Sequence, residues 1–439
     1  MSSHEKDEKN GGEVEPFLER QTTPQFIPDT EPPKDNGRIV WLVMFLHGIG
    51  VLIAWNVFIT VAPMYYTDFK LKPAEGEQPP KYVSSFMNNV CICSQLPNLI
   101  INLIGMFASG GNLMIRIVIC LVIVAASCLF TIAFIYVDVS NWQFGFFIVT
   151  MVTVVIMNTA NGLYQNSIYG LVGSFPFEYI NAVVLGNNIC GLAVTVLLLI
   201  TTTFIKDTQL NVTVFFSIAF LLLVICIISF IRLRKNPYFT YQMALARRAS
   251  ENHGKITMSD YFETFKGHWL PLIDVALVFF VTLMLFPSIL LGVKLYPLGR
   301  PYDLPIPGHL YPIIVIFLNF NLFTVIGSKC ADYFRWPSPK YAWIPVFARL
   351  IFLPLFFACN YAPQNTRSWP VYIPNEYAFF ILISLMSITH GYYSSITIMY
   401  APHGAEPMKA RILGKMSAFF LVLGIAIGIG CSFLAIHLA

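Results

Sequence analysis

Charge is what this sequence has least of. Asp, Glu, Lys and Arg make up 11% of its 439 residues, under half the share found in an ordinary soluble domain. With 56% hydrophobic residues and a mean hydropathy of +0.66, that scarcity excludes a water-soluble core and points to a chain that crosses a membrane many times. A net charge of +4 gives no case for nucleic-acid binding, because Lys and Arg gather in membrane loops for topological reasons. Enzyme signatures are missing too. There is no Gly-rich phosphate loop followed by Lys-Ser/Thr, no His-Glu-x-x-His, and no Gly-x-Ser-x-Gly in a suitable context, so neither an enzyme nor a cofactor is expected. The nine cysteines (Cys91, Cys93, Cys120, Cys128, Cys190, Cys226, Cys330, Cys359 and Cys431) lie in apolar runs or at their ends. None has zinc-like spacing to histidine, so they read as small apolar side chains, with no metal site and no external disulfide.

What the sequence has in plenty is long apolar runs. Residues 1–38 are rich in Glu, Asp, Asn, Gly and Pro without an apolar stretch fit for a signal peptide, and are expected to form a disordered cytosolic tail. At about 20 apolar residues per spanning helix, the remainder holds eleven expected spans: Ile39 to Ala62, Ser84 to Ala108, Leu113 to Val137, Gln143 to Val172, Tyr179 to Thr203, Val212 to Ile231, Trp269 to Leu291, Leu310 to Cys330, Ala342 to Cys359, Tyr377 to Tyr400 and Ile412 to Leu438. The fold class is therefore all-α and integral to the membrane. Residues 39–231 would form a six-helix bundle, 232–268 a cytosolic linker, and 269–439 a five-helix bundle, two bundles around a central pathway.

With the N-terminus in the cytosol, sixteen Lys and Arg fall in or beside inner segments and seven in outer ones. The positive-inside rule supports that orientation, and an odd number of spans places the C-terminus outside. The Asn211-Val212-Thr213 sequon falls in an outer loop on this topology, which makes Asn211 a glycosylation candidate.

Polar groups at membrane depth are the guide to function, since lipid offers them no partner. Trp55 and Asn56 stand side by side in the first span. Gln95 and Asn98 share a face of the second, being three residues apart. Asn158, Asn161 and Gln165 form a stripe on the fourth, and Asn321, Thr324 and Ser328 repeat that spacing on the eighth. Any one of these groups reads equally well as interhelical glue. Amides on three helices together suggest a cavity that hydrogen-bonds an uncharged polar solute. Arg349, near the middle of the ninth span, reads as a structural or gating group that caps carbonyls or anchors an inner gate. His390 is its counterpart on the tenth span, either a hydrogen-bonding residue or a proton-responsive one. Asp274 lies near the inner end of the seventh span, within reach of water. Glycines at Gly170 and Gly173, and at Gly424, Gly428 and Gly430, read first as sites of close helix packing.

From the first span to the last, the chain resembles the equilibrative nucleoside transporters. Trp55-Asn56 with Phe58 and Thr60 is similar to the family's Pro-Trp-Asn motif, with Ala54 in place of the proline. Gln165-Asn166-Ser167-Ile168-Tyr169-Gly170-Leu171-Val172-Gly173 resembles its fourth-helix Gln-Gly-Ser-x-x-Gly-Leu-x-Gly segment. Phe286-Pro287, Phe320-Asn321-Leu322-Phe323, Trp336-Pro337, Ala348-Arg349-Leu350-Ile351-Phe352-Leu353-Pro354-Leu355, Gly391-Tyr392 and Ala418-Phe419-Phe420-Leu421 match family segments in order.

The resemblance implies alternating-access, facilitative movement of nucleosides or nucleobases through a major-facilitator-like fold. A single chain is expected to be the transport unit, and with no convincing dileucine sorting signal in the tail the plasma membrane is the default address. The resemblance assigns Trp55 and Gln165 to the central site, the Gln facing the base, with Leu52, Ile59 and Phe286 packing against the solute. Stacking of a flat base on Trp55 also has a direct physical basis. One departure concerns the eighth helix, where the family carries an Asp and, four residues on, an Arg, associated with ribose. This chain has Thr324 and Ser328 there, and neutral contacts are weaker than charge-assisted ones. Two alternatives stay open: transport of another small polar solute such as an organic amine, and a nontransporting, purine-binding receptor-like paralogue.

Overall fold

The computed structural model describes residues 33–72, 80–107, 112–252, 257–362 and 369–435. The expected tail up to residue 32, residues 253–256 of the linker and the end of the last span, 436–439, lie outside the described residues. Among the described residues the regular elements are all helices, without a β-strand.

Among the described residues ten helices are long and apolar enough to cross a membrane. With one shorter member they are α1 (Ile39–Ala62), α2 (Phe86–Phe107), α3 (Leu113–Ile135), α4 (Gln143–Val172), α5 (Phe177–Phe204), α6 (Thr208–Leu233), α7 (Met258–Leu285), α8 (Pro312–Tyr333), α9 (Trp343–Ala358), α10 (Glu376–Tyr400) and α11 (Pro407–Ala435). Ten of the eleven expected spans are thus long enough among the described residues, and the ninth is a shorter apolar helix that falls short of a full span. Pro354 explains where it breaks: it has no N–H to give the Leu350 carbonyl and its ring crowds that group, and a 3₁₀ turn occupies Arg349–Ile351. A helix also fills part of the linker, at Pro237–Asn252.

α7 starts at Met258, well before the expected Trp269. Thr257 and Asp260 form a reciprocal capping box that nucleates this polar extension. The helix kinks at His268, with Pro271 inside it, the position where proline strains the preceding turn.

α1 packs on α5 and α6, α4 on α2 and α3, α7 on α10 and α11, and α8 on α10. Three of these contacts rest on glycine. A Cβ on Gly48 would lie 2.2 Å from the Val183 carbonyl oxygen, and one on Gly186 would lie 2.1 Å from that of Phe45. Gly391 is tighter still, 1.9 Å from the Thr324 oxygen, with Gly327 2.1 Å from the Ile388 oxygen. Gly424 meets Ala276 in the same manner at 2.2 Å. Lipid supplies no hydrophobic drive between helices, so backbone contact through small residues does the packing. The expected role thus holds at Gly173, Gly424 and Gly428, which approach backbone, and at Gly170, which seats the Lys415 side chain, but not at Gly430, which faces open space.

Candidate functional site

The end of the bundle at which residue 33 lies is here the tail end, and the opposite end the far end. At the tail end α1 and α5 meet α8 and the segment after α10. Asn181 of α5 donates to Asp332 of α8 at 2.5 Å, and Lys329 reaches the other carboxylate oxygen at 2.5 Å. The Lys329 ammonium also lies 6.0 Å above the Trp41 ring of α1. His403 stacks on Phe177 at 5.1 Å, with the Arg335 guanidinium 5.5 Å from that ring. Gly173 and Gly414 bring the α4 and α11 backbones together beside these contacts.

Trp41 marks the face of α1 turned toward α8. Steps of three and four residues carry that face through Phe45, Ile49, Leu52, Trp55, Asn56, Ile59 and Thr60, all partly exposed, while Val51, Ile53, Ala54, Val57 and Phe58 are buried. The sequence-predicted Leu52, Trp55 and Ile59 therefore share one open stripe. Among the described residues no hydrogen bond or ring contact joins α1 to α7. Trp55 leans on Phe58 at 6.2 Å with its ring nearly parallel, and Asn56 donates to Cys190 Sγ of α5 at 3.4 Å.

Helical geometry gives the bearing of the α4 amides. Tyr164 faces α1, its hydroxyl 2.6 Å from His47 Nδ1. Gly162 faces α2, where Asn98 Oδ1 would lie 2.4 Å from a Cβ, and Asn166 lies against Gly105 of α2 while donating to the Lys415 carbonyl of α11 at 3.4 Å. At about 100° per residue, Asn161 and Gln165 sit roughly 60° and 100° from Tyr164, between those bearings. Both point into the angle enclosed by α1, α2 and α11. The Gln165 side chain makes no hydrogen bond to protein among the described residues, and Asn161 Oδ1 is buried without a partner.

The second helix extends this polar wall. Asn102 donates to the Asn98 side-chain and backbone oxygens at 2.8 and 2.9 Å, which holds Asn98 against α4. Gln95 Oε1 and Asn102 Oδ1 are buried without partners. The fifth helix adds two asparagines absent from the sequence-based set. Asn187 donates to the Tyr169 hydroxyl at 2.9 Å but leaves its Oδ1 unpaired, and Asn188 leaves its Nδ2 unpaired. Their signal was present, as adjacent amides in the middle of an apolar run.

The last five helices treat their polar groups differently. Asn321 donates to Thr195 Oγ1 of α5 at 3.0 Å and to its own helix at Phe317, so it joins the two sets of helices. Thr324 and Ser328 are turned into the α8–α10 seam: Thr324 Oγ1 reaches the Ser387 carbonyl at 3.4 Å and Ser328 pairs with Ser395 at 2.7 Å. Sequence spacing shows correctly that Thr324 and Ser328 share a face, but the Gly327 and Gly391 backbone contacts clamp that face onto α10 and close it to solute.

Phe286 lies just past the end of α7, partly exposed, and stacks on Phe320 at 3.8 Å with an edge contact to Phe317 at 5.4 Å. Arg349 is 2% exposed. Its guanidinium donates to the Val278 and Met386 carbonyls at 3.0 and 3.3 Å, to Thr282 Oγ1 at 2.8 Å and to Thr389 Oγ1 at 3.3 Å. His390 shares Thr282 Oγ1 at 3.0 Å and meets Phe279 and Phe320. Both residues thus tie α7, α9 and α10 together.

Two expectations change. Asn211 is buried in the first turn of α7's predecessor, α6, with its amide against Met64 Sδ at 3.9 Å, a placement that leaves no room for a glycan. Asp274 is buried rather than near water, because α7 extends well beyond it on the tail side.

A family model described as nucleoside transporter matches residues 150–437. Over 92% of its length this chain is 26% identical to human equilibrative nucleoside transporter 1 and covers 98% of that protein. It is 24% identical to equilibrative nucleotide transporter 1 of Arabidopsis thaliana, over 90% of this chain and 86% of that one. A solved structure of the major facilitator superfamily proton:xylose symporter XylE, bound to 6-bromo-6-deoxy-D-glucose, superposes with a TM-score of 0.61 at 9% identity, covering 92% of this chain and 90% of that chain. That likeness concerns architecture: the helices adopt a major-facilitator-like fold. The matched family model, which takes in most of α4 and nearly all that follows it, and relatives aligned along almost their whole length place this chain in the nucleoside transporter family, a family of transporters and not of enzymes.

Proposed function

We propose that this chain carries nucleosides or nucleobases down their gradient by alternating access, with the base held between Trp55 and the amides of α2, α4 and α5. The observation that carries this reading is the concentration of unpaired buried amide groups, Gln95, Asn161, Asn187 and Asn188, together with Gln165, on helices around the open Trp55 stripe. Buried polar groups are normally hydrogen-bonded, and a base edge supplies donors and acceptors of the kind these amides lack. Leu52, Ile59 and Phe286 supply apolar walls. Asn98 positions its neighbours rather than contacting solute, and Thr324 and Ser328 act in the α8–α10 seam, which shifts ribose recognition away from the eighth helix.

In this reading residues 39–231 and 269–439 are the rocking bodies, and 232–268 the linker between them. The excess of Lys and Arg at the tail end supports a cytosolic N-terminus. A monomer suffices, because every group of the proposed site comes from one chain. The plasma membrane is the proposed address, tested by surface labelling of the intact cell.

Uptake of labelled uridine, adenosine and adenine into vesicles holding the purified chain, with and without a pH gradient, tests the function. Saturable uptake of at least one of them is expected. Binding without uptake would favour the receptor-like alternative, and uptake of organic amines alone would overturn the base-recognition reading. If Gln165→Ala left the KM for every substrate unchanged, the proposed site would be wrong even though transport stood.

A further inference from the structure

A crevice of about 550 Å³ runs between α3 and α4 on the side of the bundle away from the Trp55 stripe. Ile115, Ile119, Ile123, Val155, Ile156 and Leu163 make its walls apolar, and Ile119 and Ile156 are 53% and 49% exposed. Outward faces of a spanning helix meet lipid, so the crevice opens to the hydrocarbon of the bilayer. It stretches from Asn112 to Ile123 along α3, roughly 16 Å at 1.5 Å per residue. One leaflet of a bilayer whose core is about 30 Å thick has nearly that depth.

The crevice is apolar along its length and cationic at its tail end. Arg116 lines it there. Arg116 Nε donates to Ser167 Oγ of α4 at 2.8 Å, which fixes the guanidinium at the seam. Its terminal nitrogens have no protein partner and no carboxylate pairs with it among the described residues. Arg411 and Lys415 of α11 are further basic residues in the neighbourhood of this guanidinium. The N-terminus of α3 adds its positive end at the same level, with Asn112 already capping Met114 and Ile115 at 3.0 and 3.4 Å.

We infer that this crevice is a binding site for one anionic phospholipid of the tail-end leaflet, its phosphate on Arg116 and one acyl chain lying along α3 and α4. Charge and shape choose the same occupant: a soluble anion would leave the apolar length unfilled, and a neutral lipid would leave the guanidinium unpaired. Binding at this seam braces α3 against α4, the helix that carries Asn161 and Gln165.

The test is native mass spectrometry of the full chain exchanged into micelles with equal phosphatidylglycerol and phosphatidylcholine of the same acyl composition. Retention of one phosphatidylglycerol with about a fivefold preference is expected, the ratio that corresponds to about 1 kcal/mol for one basic residue near anionic lipid. Arg116→Gln should abolish the preference. Ser167→Ala, which keeps the charge and removes only the tether, should retain most of it. Ile119→Trp changes an exposed side chain and so spares the core; it should reduce retention of the lipid by filling the crevice. Equal retention of the two lipids by the parent chain, an unchanged preference in Arg116→Gln, or unchanged retention in Ile119→Trp would overturn the site. Displacement of the bound lipid by excess inorganic phosphate would do so as well, since it would identify a soluble-anion site instead.

Discussion

Thr282 is where a single atom holds the most. Its hydroxyl donates to the Val278 carbonyl at 2.9 Å, which uses its one hydrogen. It accepts from Arg349 Nη2 at 2.8 Å, and the same oxygen pairs with His390 Nδ1 at 3.0 Å. Thr282→Val keeps the branching at Cβ and removes the oxygen. Arg349 would then lose a charge-assisted bond, about 1.5–3 kcal/mol, and His390 would lose its hydroxyl partner, about 0.5–1.5 kcal/mol more. Together the substitution should cost roughly 2–4 kcal/mol. Denaturation in mixed micelles, followed by tryptophan fluorescence, measures it, with Thr282→Ser expected to stay near the parent. The two effects can be separated: in a His390→Phe background Thr282→Val should cost less by about 0.5–1.5 kcal/mol, the coupling a double-mutant cycle reports. A Thr282→Val chain within about 0.5 kcal/mol of the parent would refute the reasoning, because it would mean that neither partner depends on this oxygen.

Trp55→Ala should weaken substrate binding by about 1–3 kcal/mol, the worth of one base–aromatic stack, read as a rise in KM or in the inhibition constant of a competing base; Trp55→Phe should keep most of the affinity. Gly391→Ala would place a methyl group 1.9 Å from the Thr324 carbonyl oxygen, a backbone atom that cannot swing away, so a loss of about 1–3 kcal/mol and poor recovery of folded protein are expected by size-exclusion profile. Asp332→Ala removes the carboxylate that Asn181 and Lys329 share, and Asn321→Ala removes the bond to Thr195. In a background without reactive native cysteines, a Ser174→Cys probe should react faster with an impermeant thiol reagent at the tail end after Asp332→Ala. It should react no faster after Asn321→Ala, and equal rates in both would refute the assignment of Asp332 to tail-end closure.

The apolar bodies of the helices were legible because burial in lipid requires a run of a given length, and hydropathy reads that directly. Their ends were not. α7 gains its polar first turns from the Thr257–Asp260 capping box, which carries no hydropathy, and α9 breaks where Pro354 meets the Leu350 carbonyl. Within the site, Trp55, Asn161 and Gln165 were legible as polar groups that lipid would not tolerate. Spacing also showed that Thr324 and Ser328 share a helix face. Which neighbour that face meets depends on glycines more than sixty residues away, at Gly391 in particular, and no local pattern states it. Asn187 and Asn188 were overlooked for the opposite reason: they form no repeating stripe, yet their place on α5 sets them beside Tyr169 and the α8 seam. Asn211 shows the limit of a motif, since the sequon says nothing of burial in the first turn of a helix.

The two sets of helices divide the work in the proposed cycle. In the first set the amides of α2, α4 and α5 are left short of partners, whereas in the second the polar groups of α7, α8, α9 and α10 largely satisfy one another through Thr282, Arg349, His390, Ser328 and Ser395. In the proposed site recognition would therefore belong chiefly to the first set, and the second would offer an aromatic wall at Phe286 and Phe320. The fifth helix connects this division to movement. It meets α8 at two levels, Asn181 with Asp332 near the tail end and Thr195 with Asn321 farther along, about 21 Å apart at 1.5 Å per residue. Asn188 lies midway between them. In the proposed cycle a rocking of α8 against α5 about that level would separate one contact while pressing on the other, and the unpaired amide at the pivot would stay near the solute as the open end changed. The Trp55 stripe faces the same level from α1, so the proposed site would keep the base between an indole and a set of amides whichever end was open.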